Sequence, residues 1–177
     1  MIAYLQGITQ QRWSWVLLLV SALFLELCAM LFQHGLGLFP CVMCVYERIA
    51  TMGLMAAALV ALIDPKRALF RWLGILIWGY SAIRGLQLAL KHVDYLLNPS
   101  PFNTCSVLPD FPSWLPLHTW APWFFAAYAD CAERQWSFLG WELPQWLVPI
   151  FALYLVIWLV IVTANLAQKG HLGTCGE

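Results

Sequence analysis

Four apolar runs, separated by short polar interruptions, organise the chain. They cover residues 13–32, 45–63, 70–90 and 146–164. A span needs about 20 mostly apolar residues to cross roughly 30 Å of hydrocarbon, so each run qualifies. Lipid offers the backbone no hydrogen-bonding partner, and a helix satisfies its own, so each run reads as a transmembrane helix. Past Ser14 the first run is broken only by Ser21 and Glu26, and the second carries Glu47 and Arg48 near its start. Arg71 opens the third and Arg84 lies inside it, whereas the fourth has no charge. A single basic residue, Arg12, precedes the first run, which is longer than a cleavable signal core. It reads as an uncleaved signal anchor.

The connections are unequal. Residues 33–44 form a short loop and residues 91–144 a long one. The long loop holds seven of the ten prolines and five of the eleven tryptophans, a density that forbids an extended helix through most of it. Its middle, residues 116–128, is too short and interrupted to cross. It reads as a segment lying in the headgroup plane, anchored by Trp120, Trp123 and Phe124. With both termini inside, Arg12, Lys66, Arg67, Arg71 and Lys169 fall on the cytoplasmic side. Arg48, Lys91 and Arg134 fall outside, a bias of the expected sign.

Composition agrees with this pattern. The chain is 62% hydrophobic and 10% charged, with a mean hydropathy of +0.74. Soluble domains run at about 45–50% apolar and about 25% charged. Nine Lys and Arg balance nine Asp and Glu, so no basic excess exists to neutralise a phosphate backbone, and nucleic acid is excluded as a partner. The expected fold is an all-α integral membrane protein, one membrane domain over residues 1–177. It is a four-helix bundle with a short and a long loop on the outer face.

Six cysteines then take on meaning. Cys41 and Cys44 close the short loop, Cys105 and Cys131 lie in the long one, Cys28 sits within the first span and Cys175 in the cytoplasmic tail. The four outer cysteines face the compartment where disulfides persist. Cys41-Val-Met-Cys44 has the spacing of a redox dithiol and opens into a helix, whose N-terminal N–H groups favour a sulfur anion. Arg48, one turn on from Cys44, shares its face. A structural disulfide, half a zinc site and a chance occurrence of cysteine at a helix start are the alternatives for this pair. The zinc reading lacks a second CxxC or paired histidines outside, so no metal is expected. A Cys105–Cys131 bridge would stabilise the long loop by about 3–4 kcal/mol on the loop-entropy model, so a staple and a redox role both stay open. Four cysteines allow three connectivities.

Thiol exchange moves a disulfide but does not create one. Creation requires a two-electron acceptor, and the chain has no dinucleotide fingerprint and no haem CxxCH. An acceptor dissolved in the bilayer reaches a dithiol at the membrane edge, which points to membrane quinone.

These residues resemble the disulfide bond formation protein B (DsbB) family, quinone-dependent thiol oxidases of the bacterial inner membrane. The resemblance runs in order through Glu26-Leu27, Phe32-Gln33-His34 and Pro40-Cys41-Val-Met-Cys44-Val-Tyr46-Glu47-Arg48. It continues through Tyr80-Ser-Ala-Ile-Arg84-Gly85, Pro99-Ser-Pro-Phe102 with Thr104-Cys105, Asp130-Cys131-Ala-Glu133-Arg134-Gln-Trp136 and Pro144-Gln-Trp146. It implies that a Cys105–Cys131 disulfide oxidises a periplasmic thioredoxin-fold thiol oxidase of the DsbA type. Electrons then pass to Cys41–Cys44 and on to ubiquinone or menaquinone, making disulfides de novo. In the family the position of Cys44 contacts the quinone, that of Cys41 exchanges with the loop pair, and that of Arg48 helps bind the quinone.

The remaining polar residues complete the expected site. Glu26 and Arg84 each cost at least about 2.5–3.5 kcal/mol at mid-bilayer. Both sit roughly 9 Å below the outer surface at 1.5 Å per residue, so they are expected to pair with each other or to join Glu47 and Arg48 beneath Cys44. His92, at the outer end of the third helix, is a candidate neighbour of the quinone headgroup, and Glu47 is a further candidate for binding it. His34, His118 and His171 read as interface or tail residues and Cys28 as a small core hydrophobe. Two other classes share parts of this pattern. A vitamin K epoxide reductase-type enzyme carries its CxxC at the outer end of a later helix, and a non-catalytic assembly or transport protein would use its cysteines only as staples.

Overall fold

Each apolar run becomes a helix, and each helix extends beyond its run. The computed structural model describes residue 7 and residues 9–100, 102–106 and 108–172, with side chains through residue 166. Cys175 lies outside these residues, as do the side chains of Lys169 and His171. Helix α1 spans Arg12–Met30 and runs into a π-helical turn, Leu31–Gly35. Helix α2 spans Val42–Ile63 and α3 Ala68–Leu97. In the long loop, α4 (Leu117–Trp120) and α5 (Pro122–Phe125) are single turns. Helix α6 spans Leu143–Leu172 and contains Pro149. Four of these helices are long and apolar enough to cross a membrane.

Helix α3 runs past its expected end at residue 90, to Leu97. Lys91 and Asp94 do not end it, because His92, Tyr95 and Leu96 keep its buried face continuous. An amphipathic turn carries a helix out of the apolar slab when one stripe still packs inward.

Helices α2 and α3 form the centre, with α1 against α2 and α6 against α3. A hydrogen bond of 2.9 Å from Tyr154 Oη to Ser21 Oγ joins α6 back to α1. The α2 interface is built of Ala50, Ala57, Ala58 and Ala61, all buried. Small side chains let helix backbones approach, which is how helices associate where lipid provides no hydrophobic drive. Large residues fill the resulting space: Trp15 of α1, Ile75 and Trp78 of α3 and Phe151 of α6. Outward-facing Leu17, Phe24, Leu76, Leu153 and Val156 are exposed. Such a band belongs against acyl chains rather than water.

A two-stranded hairpin not foreseen from the pattern precedes α6. Strand β1 (Ser137–Phe138) pairs antiparallel with β2 (Trp141–Glu142). Leu139 at φ 52° and Gly140 at φ 79° make the turn. Two successive positive φ values suit the right-handed twist of a tight hairpin, but the usual Asn-Gly signal is replaced here by Leu-Gly.

Candidate functional site

Pro40 cannot continue the loop as helix, and the next residue, Cys41, caps α2. Its backbone is extended, and Cys44 N–H donates to Cys41 Sγ at 3.2 Å. A side-chain acceptor at this position satisfies one of the helix's unpaired N–H groups. The two sulfurs lie 2.8 Å apart and neither is in a disulfide. Cys41 is buried, while Cys44 is half-buried.

The long loop is drawn onto this cap by backbone hydrogen bonds. Tyr128 N–H and Ala129 N–H both donate to Pro40 O, at 2.9 and 3.3 Å, and Cys41 bridges Ala129 in parallel register. Two residues further on, Cys131 is bonded to Cys105, with Cα atoms 6.1 Å apart. Cys41, Met43, Tyr95 and Cys131 form one buried cluster against which Cys44 and Cys105 pack. Both cysteine pairs therefore occupy one apolar knot at the N-terminal end of α2. Within it Cys131 is 1% exposed, whereas Cys105 is half-buried.

Helix α3 brings up the next layer. His92 Nε2 is 3.4 Å from Cys41 Sγ, and His92 Nδ1 is 3.0 Å from Glu47 Oε1. All three residues are buried. The extension of α3 beyond residue 90 is what reaches Cys41. The chain Cys41–His92–Glu47 is a hydrogen-bonded relay along which a proton can move.

Arg48 and Glu26 form the deeper layer, with Nε to Oε2 at 3.5 Å and both side chains nearly fully buried. Arg48 Nη1 also donates to Gln33 Oε1 at 2.9 Å and to Phe124 O at 2.6 Å, and its guanidinium lies 4.7 Å from the Phe124 ring centre. Gln33 Nε2 in turn donates to Trp123 O at 2.9 Å. The π turn and α5 are thus latched together through Arg48. Gln33 is a site residue that residue chemistry did not single out, and Phe124, expected as a membrane anchor, also holds Arg48. Gln33 sits in the quoted Phe32-Gln33-His34 motif, which was the available signal.

Arg84 is elsewhere. Its guanidinium is exposed and bonds Gln87 Oε1 at 3.1 Å, on the same helix. The expected Glu26–Arg84 pair does not form, because Gly85, Ala82 and Ala89 occupy the inward stripe of α3 and turn Arg84 away. Glu26 joins Arg48 instead. Depth alone does not pair two charges; the rotation of each helix about its axis decides.

A cavity of about 420 Å³ opens beside these residues, lined by Cys41, Cys44, Glu47, Arg48 and His92 at one end and by apolar side chains such as Phe32 and Trp146 elsewhere. Glu26 Oε1 and Glu47 Oε2 have no hydrogen-bond partner among the described residues, and Arg48 Nε has only its ion pair with Glu26. Buried polar atoms are normally paired, so these orphans mark a place for a ligand. An apolar slot with a thiol, a histidine and a cation at one end could hold a flat apolar ring whose polar atoms would meet the polar end.

A family model described as "Disulfide bond formation protein DsbB" matches residues 11–161. Disulfide bond formation protein B of Aeromonas salmonicida is 55% identical over 168 residues, covering 95% of this chain and 97% of that protein. The protein of the same name from Photobacterium profundum is 52% identical over 166 residues, 94% of each chain. That of Vibrio cholerae serotype O1 is 49% identical over 170 residues, 96% of this chain and 98% of the other.

Proposed function

The chain belongs to the DsbB family, and from that premise we propose that it oxidises a periplasmic, DsbA-like thioredoxin-fold thiol oxidase and delivers the electrons to membrane quinone. Membership makes it a four-helix membrane oxidoreductase of disulfide bond formation. The observation that carries the electron route is the packing of both cysteine pairs in one cluster beside the cavity.

Exposure supports the following order of exchange. The partner thiolate attacks the half-buried Cys105, forming a mixed disulfide and releasing Cys131 as thiolate. The partner's second thiol then attacks its own sulfur in that bond, leaves oxidised and frees Cys105. Cys131, packed with Cys41, attacks the Cys41–Cys44 disulfide and releases Cys44. Attack by Cys105 on Cys131 restores the loop disulfide and leaves Cys41 and Cys44 as thiols. The cysteines stand in this last state: Cys105 bonded to Cys131, Cys41 and Cys44 free.

Ubiquinone or menaquinone, when bound, supplies a two-electron, two-proton acceptor. Cys44, half-buried on the cavity wall, presents its sulfur there. Arg48 holds a cation at the same end, fixed by Gln33 and the Phe124 carbonyl. His92 Nε2 accepts the Cys41 proton while Glu47 holds the Nδ1 proton. The short loop and the loop disulfide face the periplasm of a bacterial inner membrane, where disulfides survive, and α4–α5, with Trp120 and Trp123 exposed, lies in the headgroup layer. The vitamin K epoxide reductase arrangement gains no support, since Cys41 caps the second span rather than ending a later one. An inert staple gives no reason for both cysteine pairs to pack together beside a cavity.

The test mixes purified protein, a reduced thioredoxin-fold oxidase and a short-chain quinone, and follows quinol formation. Cys41→Ser and Cys44→Ser abolish turnover; turnover that persists in either refutes the relay. Cys105→Ser blocks partner exchange and leaves quinone affinity unchanged.

A further inference from the structure

Cys41 Sγ, Cys44 Sγ and His92 Nε2 all lie within 4.8 Å of one another. We propose that the reduced protein holds a thiophilic divalent cation, zinc in the first instance, on these three atoms, and that this captures the dithiol in a form unable to be oxidised. The inference rests on the reading of Cys41 and Cys44 as a pair that cycles through the dithiol state, and it adds a ligand that state alone recruits.

The geometry is close to what zinc requires. Zinc–sulfur bonds of about 2.3 Å and zinc–nitrogen bonds of about 2.0–2.1 Å in a tetrahedron separate S from N by about 3.5 Å. The Cys41 Sγ to His92 Nε2 distance is 3.4 Å. Two thiolates on one zinc stand about 3.8 Å apart on the same geometry, whereas the sulfurs here are 2.8 Å apart. Cys44 supplies the difference by swinging about 1 Å toward the cavity that it lines.

The surroundings are those of a metal-ligating histidine. His92 Nδ1 meets Glu47 Oε1 at 3.0 Å, which orients the ring and leaves Nε2 free to ligate. A carboxylate behind the histidine is the usual outer partner in zinc sites. Two thiolates neutralise a divalent cation, so the loaded site carries no excess charge into a buried environment. The nearby Arg48 guanidinium faces Glu26, Gln33 and the Phe124 carbonyl, which offset its repulsion. Asp130 and Glu133, exposed at the rim of the same cavity, attract cations to it. The cavity itself provides the fourth, open coordination position.

The reaction balances without a redox partner. One divalent ion displaces two thiol protons to solvent and forms two metal–sulfur bonds and one metal–nitrogen bond; no electrons move. The Cys41–Cys44 disulfide has no thiolate to offer, so binding selects the reduced protein. Because the metal occupies the cavity end that carries Cys44 and His92, it excludes the electron acceptor from the same place.

The test uses full-length protein in detergent, freed of quinone and reduced, and titrates cobalt(II), whose thiolate charge-transfer absorption reports sulfur ligation. The Cys105→Ala/Cys131→Ala double variant is titrated alongside, so that only one cysteine pair remains. The expected result is one equivalent of sulfur-ligated cobalt in the double variant, displaced by zinc, and none after oxidation of Cys41–Cys44. His92→Gln and Glu47→Gln each weaken binding about 10–100-fold. Cys44→Ser, a substitution on the cavity wall that leaves the buried layer intact, abolishes the charge-transfer band. Titration without that band overturns the proposal, as does equal binding by the oxidised protein or binding indifferent to both His92→Gln and Cys44→Ser. No partner or quinone is present, so a negative result leaves the electron relay standing, whereas loss of quinol formation in the relay assay leaves metal binding untouched.

Discussion

Glu26 and Arg48 face each other across α1 and α2 at 3.5 Å, both nearly fully buried. Removing one member of such a pair leaves an uncompensated charge at a cost of about 3–5 kcal/mol. Glu26→Gln is therefore expected to lower stability by about 3 kcal/mol, read from thermal unfolding in detergent. Arg84→Met, altering an exposed side chain bonded only to Gln87, is expected to change it by about 0.5 kcal/mol or less. The double variant Glu26→Gln/Arg84→Met should be additive within about 0.5 kcal/mol, whereas Glu26→Gln/Arg48→Met should not. Coupling between Glu26 and Arg84 would mean that the helices are rotated otherwise than described. At His92 the argument concerns rate. Proton transfer by a placed side chain contributes about 10²–10⁴-fold, so His92→Gln is expected to slow oxidation of the Cys41–Cys44 dithiol by at least about 100-fold. Formation of the Cys105 mixed disulfide, read on non-reducing gels, should proceed at the unaltered rate.

At the scale of elements, the π turn and α5 act as a latch. Gln33 accepts from Arg48 and donates to Trp123 O, so one side chain joins α2, the end of α1 and the long loop. Gln33→Ala should speed backbone hydrogen exchange across residues 117–125 by about tenfold, the equivalent of about 1.4 kcal/mol, while the exchange of α3 stays unchanged. Equal protection in both proteins would show that the loop is held by its aromatic contacts alone. The α3–α6 contact depends on absent side chains. A Cβ at Gly85 would overlap the Phe151 ring, which is fully buried and has nowhere to move. Gly85→Ala is expected to destabilise the bundle by about 1–3 kcal/mol, an overpacking cost visible as a lower unfolding temperature.

For the whole molecule, the arrangement predicts sidedness. All four cysteines of the two pairs gather at the end of the bundle where α2 begins, and Cys28 of α1 lines the cavity beside them. In intact cells with a permeable outer membrane, an impermeant maleimide applied after reduction should label Cys105. Labelling that appears only after the inner membrane is broken would reverse the topology.

The four apolar helices and the position of the CxxC at a helix start were legible along the chain because each depends on local quantities. Twenty apolar residues make a span wherever they occur, and the CxxC spacing sits beside its helix start. The choice between the partners open to Glu26 was not legible in this way. Glu26 meets Arg48 rather than Arg84 because helix rotation, set by the small residues of α2 and α3, decides which side chains face inward. His92 reaches Cys41 because α3 continues to Leu97, beyond the end of its apolar run. Leu139-Gly140 gave no strong turn signal, so the hairpin was unseen. Sequence by itself determined that this is a four-helix membrane protein with two cysteine pairs toward one side, since burial in lipid is a property of each segment alone. Only the tertiary structure decided that both pairs, a histidine and a compensated arginine share one cavity, because that depends on packing between segments far apart in the chain.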